Sequence, residues 1–389
     1  MGLVIHDLSP TDWDRVCEKY EGWTVVSDRG TIRPCVGCFS CWNRTPGQCV
    51  IRDGYENMGA LIHHADEVVV ISRYTYGGFS GFVKNVFDRC LSYVLPQFEV
   101  INEETHHKKR YDEDKPFTFI FHGPKLTRLE KDSARKYVTA VCANIRGHVK
   151  DVLFWKTEEG GADDSGQATT KNKPKLNKIK GKVVLLNGSM RSANGNSAKL
   201  ARRLYGLVET MCEIVNLSDY INCEADPLPI LDGAGALVLC VPLYVDGLPS
   251  QVVRFMKRVE DAYDGKPLHV YVLANMGLYE NKQLENLFSM VRQWCGSVGF
   301  LYCGGLGVSA GELVGGLMDL LPFGKGPLYN IDTQIDRLAL AIDAGEYRGE
   351  FFRGPGNFPR WLYIQIANRN WNRTARRNGI RPRDLYRQL

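Results

Sequence analysis

From Lys156 to Lys182 the chain reads KTEEGGADDSGQATTKNKPKLNKIKGK, a run rich in Gly, Ser, Thr and Lys whose only large aliphatic side chains are Leu176 and Ile179. Such a segment has too little apolar surface to pack, so it reads as a flexible linker that divides the chain in two. The total of 389 residues agrees, because it exceeds what one hydrophobic core usually organises. As a coil the linker spans roughly 25 to 30 Å on average, enough for the flanking halves to pack on each other.

Each half alternates short apolar runs with helical patterns. GLVIHD, WTVVSD, DEVVVIS, FTFIFHG and DVLFW precede the linker; KVVLLNG, CEIVNL, ALVLCVPLY, LHVYVLAN and GFLYCGG follow it. Strands joined by helical crossovers predict an α/β fold in each half, a doubly wound parallel sheet of five strands. The expected organisation is a first domain over 1–155, a linker over 156–180, a second domain over 181–315 and a helical extension over 316–389. The halves also echo each other: SRYTYGGFSG leads into the helix VKNVFDR, and VPLYVDGLPS leads into QVVRFMKRV. An internal duplication accounts for this.

Only the second half has an anion-binding turn. After KVVLLNG come Ser189, Arg191, Asn196 and Ser197 in SMRSANGNS, directly before a helix. Small polar donors, one cation and a helix N-terminus suit a phosphate dianion. The bland alternative is an ordinary βα turn with Ser197 as N-cap. The matching turn of the first half, HDLSPTDWD, makes a good helix start with Ser9 as N-cap and Pro10 at the first helical position. Its Asp12 and Asp14 would repel phosphate, and it has no glycine to admit a ligand.

The formal charge of +5 is uneven, because residues 353–389 hold nine arginines, no lysine and the single acid Asp384. Trp361, Ile364, Ala367 and Trp371 recur at helical spacing there, with Arg369, Arg373 and Arg377 on another face. Packing against a domain is the favoured use, ahead of binding the adenosine phosphate of NADPH or nucleic acid. Twelve cysteines accompany an opening, MGLVIHDLSP, without a basic-then-apolar signal, and no run of 18 apolar residues occurs. The expectation is a cytoplasmic protein that contacts no membrane and keeps its thiols reduced. Four of the cysteines fall in Cys35-x2-Cys38-x2-Cys41-x7-Cys49. That spacing permits a [4Fe–4S] cluster, whereas zinc normally takes two separated pairs. Buried or redox-active free thiols are the competing reading.

Together these residues resemble the flavodoxin-like NAD(P)H-dependent FMN reductases, and the first half is similar to their iron–sulfur flavoprotein relatives. The resemblance rests on CVGCFSCW, GQCVIRD, the GGFSG loop and the VKNVFDR helix. It implies FMN held by three strand-end loops. Ser189, Arg191, Asn196 and Ser197 would take the phosphate; Pro242, Leu243, Tyr244, Val245, Asp246 and Gly247 would line the ring; Asn275, Met276 and Gly277 would form the third loop. The family's dimer would become an intrachain pseudo-dimer, with Tyr74, Tyr76, Gly77 and Gly78 of the first half contributing to the cleft; a further homo-oligomer stays open. Departures are Arg73 in place of proline, the missing first loop of the first half, and a second half without the cysteine motif that keeps only Cys223.

The implied activity is an FMN-dependent NAD(P)H oxidoreductase passing hydride from nicotinamide to flavin and then to a small acceptor: a quinone, a nitro or azo compound, free flavin or a biosynthetic intermediate. Tyr244, Tyr76 and His107 are the candidate proton donors, and Arg110 and Tyr111 could line the substrate cleft beside His107. Two other classes remain: a flavodoxin-like electron carrier between protein partners, and a redox sensor using the basic tail on nucleic acid.

Overall fold

The computed structural model describes residues 1–156 and 179–389; the linker expected over 156–180 lies almost wholly outside the described residues. The described chain forms two compact units, residues 1–156 with 364–389, and residues 179–363.

The first unit contains β1 (Leu3–His6), α1 (Pro10–Asp14), β2 (Thr24–Ser27), α2 (Ser40–Asn43), α3 (Met58–His64), β3 (Val68–Arg73), α4 (Gly81–Arg89), β4 (Val94–Ile101), β5 (Glu104–Lys109), β6 (Pro116–Gly123), α5 (Arg128–Ile145) and β7 (His148–Lys156). Its sheet runs β2-β1-β3-β6-β7, every pair parallel. Ser9 caps α1 as expected, accepting from the Asp12 N–H at 3.2 Å. Thr127 and Glu130 cap α5 reciprocally. The core is aromatic: Phe79 stacks on Phe87 with centroids 4.8 Å apart and also meets Phe119, Phe121 and Tyr137. Each such ring contributes about 1.5–3 kcal/mol through burial.

β4 and β5 form a separate antiparallel hairpin. Its polar sequence, ETHHKK in β5, reads locally as a charged loop. The pairing comes from the turn at Asn102 and Glu103, whose φ values of 48° and 66° give the two-residue turn that matches strand twist.

The second unit contains β8 (Lys182–Asn187), α6 (Asn196–Tyr205), β9 (Cys212–Asn216), α7 (Leu217–Asn222), β10 (Ala234–Pro242), α8 (Ser250–Ala262), β11 (His269–Asn275), α9 (Leu284–Val298), β12 (Leu301–Val308), α10 (Gly311–Met318), α11 (Tyr329–Ala344) and β13 (Gly349–Arg353). Its parallel sheet runs β9-β8-β10-β11-β12-β13. Both sheets therefore share the order 2-1-3-4-5, one of the two common doubly wound orders. Two expectations change. The second sheet has six strands rather than five, and the α/β pattern, expected to stop near Gly315, continues to β13. GEFFR gave no signal because its strand is short and bounded by charged residues.

α12 (Arg360–Arg377) follows, and the unit boundary falls within it. From Ile364 onward it belongs to the first unit. Trp371 meets Phe39 and Trp42 edge-on at 5.4 and 5.3 Å, and the Asn368 amide donates to the Phe98 carbonyl at 3.2 Å. Trp371 of the stripe thus serves packing, whereas Trp361 is exposed, and Arg369, Arg373, Arg376 and Arg377 face solvent. No described helix is long and apolar enough to cross a membrane.

Candidate functional site

In open α/β sheets, ligands settle outside the carboxyl ends of the strands where the strand order reverses. In the second sheet that place lies between the ends of β8 and β10. The β8–α6 turn begins at Gly188, whose N–H donates to the Cys240 carbonyl at 3.0 Å and whose carbonyl accepts from the Gln251 amide at 2.9 Å. Ser189 Oγ accepts from the Arg191 N–H at 3.3 Å, closing the turn. The N-cap of α6 is Gly195, not Ser197, so no side chain caps the helix. Its first N–H groups and dipole are left to an anion. Arg191 and Asn196 stand half-buried at the rim, while Ser189 and Ser197 are buried beneath.

The loop after β10 makes a two-residue turn in which Tyr244 and Gly247 exchange both backbone hydrogen bonds at 3.0 Å. Val245 and Asp246 occupy its centre at φ 39° and 58°. A β-branched residue in the left-handed region costs on the order of 1–3 kcal/mol, so the surroundings hold this loop in shape. Pro242, Leu243, Tyr244 and Val245 are half-buried, and Asp246 and Gly247 lie underneath.

Asn275 ends β11 and ties the three loops together. Its side-chain amide donates to Ser197 Oγ at 2.6 Å, and its carbonyl accepts from the Leu243 N–H at 2.7 Å. Met276 is buried and acts through its backbone, donating to the Val308 carbonyl at 2.9 Å and accepting from Gly311 at 2.7 Å. Gly277 is exposed, and its carbonyl accepts from the hydroxyl of the buried Tyr363. Burial, then Glu312 and Glu280, push the Tyr363 phenol above its ordinary range. Sequence reasoning missed Glu312, Tyr363 and Gln251. Glu312 Oε1 accepts from Arg191 at 3.3 Å and from Asn196 at 3.1 Å.

The same edge of the first sheet is filled by its own side chains. Asp7 accepts from the Arg73 N–H at 3.0 Å and pairs with His122 Nε2 at 2.7 Å. His6 stacks flat on Trp13 with centroids 4.0 Å apart. Burial lowers the His6 imidazole to about 4, the effect of Asp7 opposing it. The loop after β3 repeats the turn of the second unit, Thr75 and Gly78 exchanging hydrogen bonds at 3.0 and 2.9 Å around Tyr76 at φ 51° and Gly77 at φ 90°. Tyr76 is buried.

Other expectations are corrected. His107 lies on β5, its Nδ1 bonded to the Leu95 carbonyl at 2.9 Å and its ring against Trp42 at 4.7 Å; burial lowers its pKa to about 4. Arg110 is buried and donates to the carbonyls of Ser92 at 2.6 Å and of Leu385 and Arg387 at 2.7 Å, and the Tyr111 hydroxyl accepts from the Leu389 N–H at 3.5 Å. They anchor the carboxyl-terminal segment instead of a substrate. Asp53 is held by Arg89 at 2.8 and 3.0 Å.

The four motif cysteines lie near enough to influence one another, but among the described residues no group of three or more His, Cys, Asp or Glu side chains is arranged to hold a metal ion. The arrangement gives no support to the expected [4Fe–4S] ligation by Cys35, Cys38, Cys41 and Cys49. Burial, then Asp88, pushes the Cys35 thiol up to about 12, and burial with the neighbouring cysteines pushes Cys41 well up. Protonated thiols are poor nucleophiles. The segment instead anchors Trp42, whose Nε1 donates to the carbonyls of Leu91 at 2.8 Å and Val94 at 2.9 Å.

No protein family matches the chain, and no curated protein does. Among solved structures it is similar to a flavone reductase, at 11% identity and a TM-score of 0.30 over 47% of this chain and 70% of that one. It is also similar to an FMN-dependent NADH-azoreductase from Bacillus anthracis str. Ames Ancestor, at 13% and 0.30 over 42% and 99%. An azoreductase from Bacillus anthracis str. Sterne gives 13% and 0.28 over 49% and 99%. Scores this low carry no weight beside the geometry.

Proposed function

We propose that the chain is an FMN-dependent NAD(P)H oxidoreductase, a tandem duplication whose second unit holds the flavin. The observation that carries this reading is the position of Asn275, which gathers the phosphate turn and the ring loop at the strand-order reversal. The donor set fits the group: serine hydroxyls, a guanidinium, an amide and an uncapped helix start suit a phosphate monoester. Bound there, FMN would supply two-electron exchange between NAD(P)H and a small acceptor such as a quinone, a nitro or azo compound, free flavin or a biosynthetic intermediate.

The chain's own residues have narrower tasks. Arg191, Asn196 and Ser189 bind the phosphate, and the uncapped N–H groups of α6 share its charge. Pro242 to Val245 present a rigid, half-buried wall that orients the ring and keeps water from one side. Tyr244 is the proposed proton donor, through its phenol O–H. His107, held against Trp42 and the Leu95 carbonyl, has no part in it. The first unit holds no second FMN, because Asp7, His6 and Trp13 occupy the corresponding edge.

Purified full-length chain tests the proposal. The expected result is a yellow protein with about one FMN per chain, bleached by NADH or NADPH without oxygen. A colourless protein whose spectrum is unchanged by added FMN would refute it, and two FMN per chain would refute the assignment to one unit.

A further inference from the structure

The residues proposed to take the flavin phosphate already hold an anion, and it belongs to the chain. Glu312 lies in the first turn of α10. Its Oε1 receives Arg191 Nη1 at 3.3 Å and Asn196 Nδ2 at 3.1 Å.

The backbone around it leaves Glu312 little choice of place. Ala310 donates to the Leu278 carbonyl at 2.7 Å and Gly311 to the Met276 carbonyl at 2.7 Å, so the start of α10 is stitched to the third loop. Ala310 pays for that route with a left-handed φ of 53°. One turn later Gly315 touches the start of α6 so closely that an added Cβ would come within 2.0 Å of Asn196 Oδ1. Lys199 then donates to the Gly315 carbonyl at 2.9 Å and pairs with Asp319. α10 is therefore fastened at both ends across the N-terminus of α6. Only the Glu312 side chain, about half exposed, is free to turn away.

We propose that Glu312 is a displaceable internal anion of the phosphate turn, which lowers affinity for phosphorylated flavin and must swing out before a phosphate can enter. The proposal rests on the FMN reading above. A carboxylate and a phosphate dianion cannot share Arg191 and Asn196, because like charges a few ångströms apart repel even near the surface. Glu312 therefore selects against the phosphate, and narrows the preference for FMN over riboflavin, which carries no charge at that end.

The experiment is flavin titration of the full-length chain, followed by fluorescence quenching, comparing wild type with Glu312→Gln and Glu312→Asp. Glu312→Gln should bind FMN about tenfold more tightly while riboflavin affinity stays unchanged, and Glu312→Asp should remain near wild type. Unchanged or weaker FMN binding by Glu312→Gln overturns the proposal, as does an equal gain for both flavins. If no protein binds either flavin, the FMN reading fails separately, and inorganic phosphate decides the matter by thermal shift. Stabilisation of Glu312→Gln but not wild type supports the internal anion; equal or no stabilisation of the two overturns it.

Discussion

Asn275 donates its side-chain amide to Ser197 Oγ at 2.6 Å, both residues being buried. One hydrogen bond thereby joins the end of β11 to the first turn of α6. Replacing Asn275 by Leu leaves the Ser197 hydroxyl without its donor. The expected result is a stability loss of about 1–3 kcal/mol in urea unfolding, with FMN affinity falling at least tenfold. Retained FMN affinity in a destabilised variant would separate the bond from the site.

Arg110 holds the chain's last residues by donating to the Leu385 and Arg387 carbonyls. Arg110→Met removes those donors and keeps most of the volume. We expect a loss of about 2–4 kcal/mol, by analogy with hydrogen bonds from charged groups, and early proteolytic trimming after Arg377. FMN affinity should barely change, because Arg110 belongs to the first unit.

Trp371 sits edge-on to both Phe39 and Trp42. Trp371→Ala should cost about 3–5 kcal/mol if the cavity stays open. Substituting Arg373, on the exposed face of the same helix, should change stability by less than about 0.5 kcal/mol. Comparable losses in the two variants would contradict the packing role.

Acid should weaken the fold through His6. Its folded pKa is about 4, against an ordinary 6.5, because burial disfavours the charged ring. The unfolded chain therefore binds a proton that the folded chain refuses, so stability is full above about 6.5 and falls as pH drops toward 4. Neither ring nitrogen has a hydrogen-bond partner among the described residues, so His6→Phe removes the titration without stranding a donor. The unfolding free energy of that variant should fall less between pH 7 and 4.5 than that of wild type; parallel profiles would exclude His6 as a source.

The cysteines should differ in reactivity. With its thiol pushed up to about 12, Cys35 is thiolate at only about one part in ten thousand at pH 8. Iodoacetamide should modify the exposed Cys38 and Cys223 first and the half-buried Cys35 and Cys41 much more slowly. Mass spectrometry of timed samples checks the order, and labelling of Cys35 as early as Cys38 would contradict its raised pKa.

Much of the architecture was legible in local sequence. Ten strands follow from runs such as DEVVVIS and ALVLCVPLY, because strands buried on both faces are almost continuously apolar. The β8–α6 turn proposed for the phosphate was equally visible, since helix starts and small polar donors are local features. β5 was not legible, because ETHHKK becomes a strand only through its pairing with β4. β13 was hidden too, since five residues with two charges gain strand character only beside β12.

The sequence by itself determined the two α/β halves, the turn of small polar residues before α6 in the second and the acidic turn in the first. These rest on periodicity, capping and charge within a few neighbouring residues. Only the tertiary structure decided what Cys35, His107 and Arg110 do. Burial keeps the thiol protonated and the imidazole neutral, and the guanidinium is spent on carbonyls 275 and 277 residues away. The tertiary structure alone also set Glu312 on Arg191, a pairing across 121 residues that no local pattern encodes.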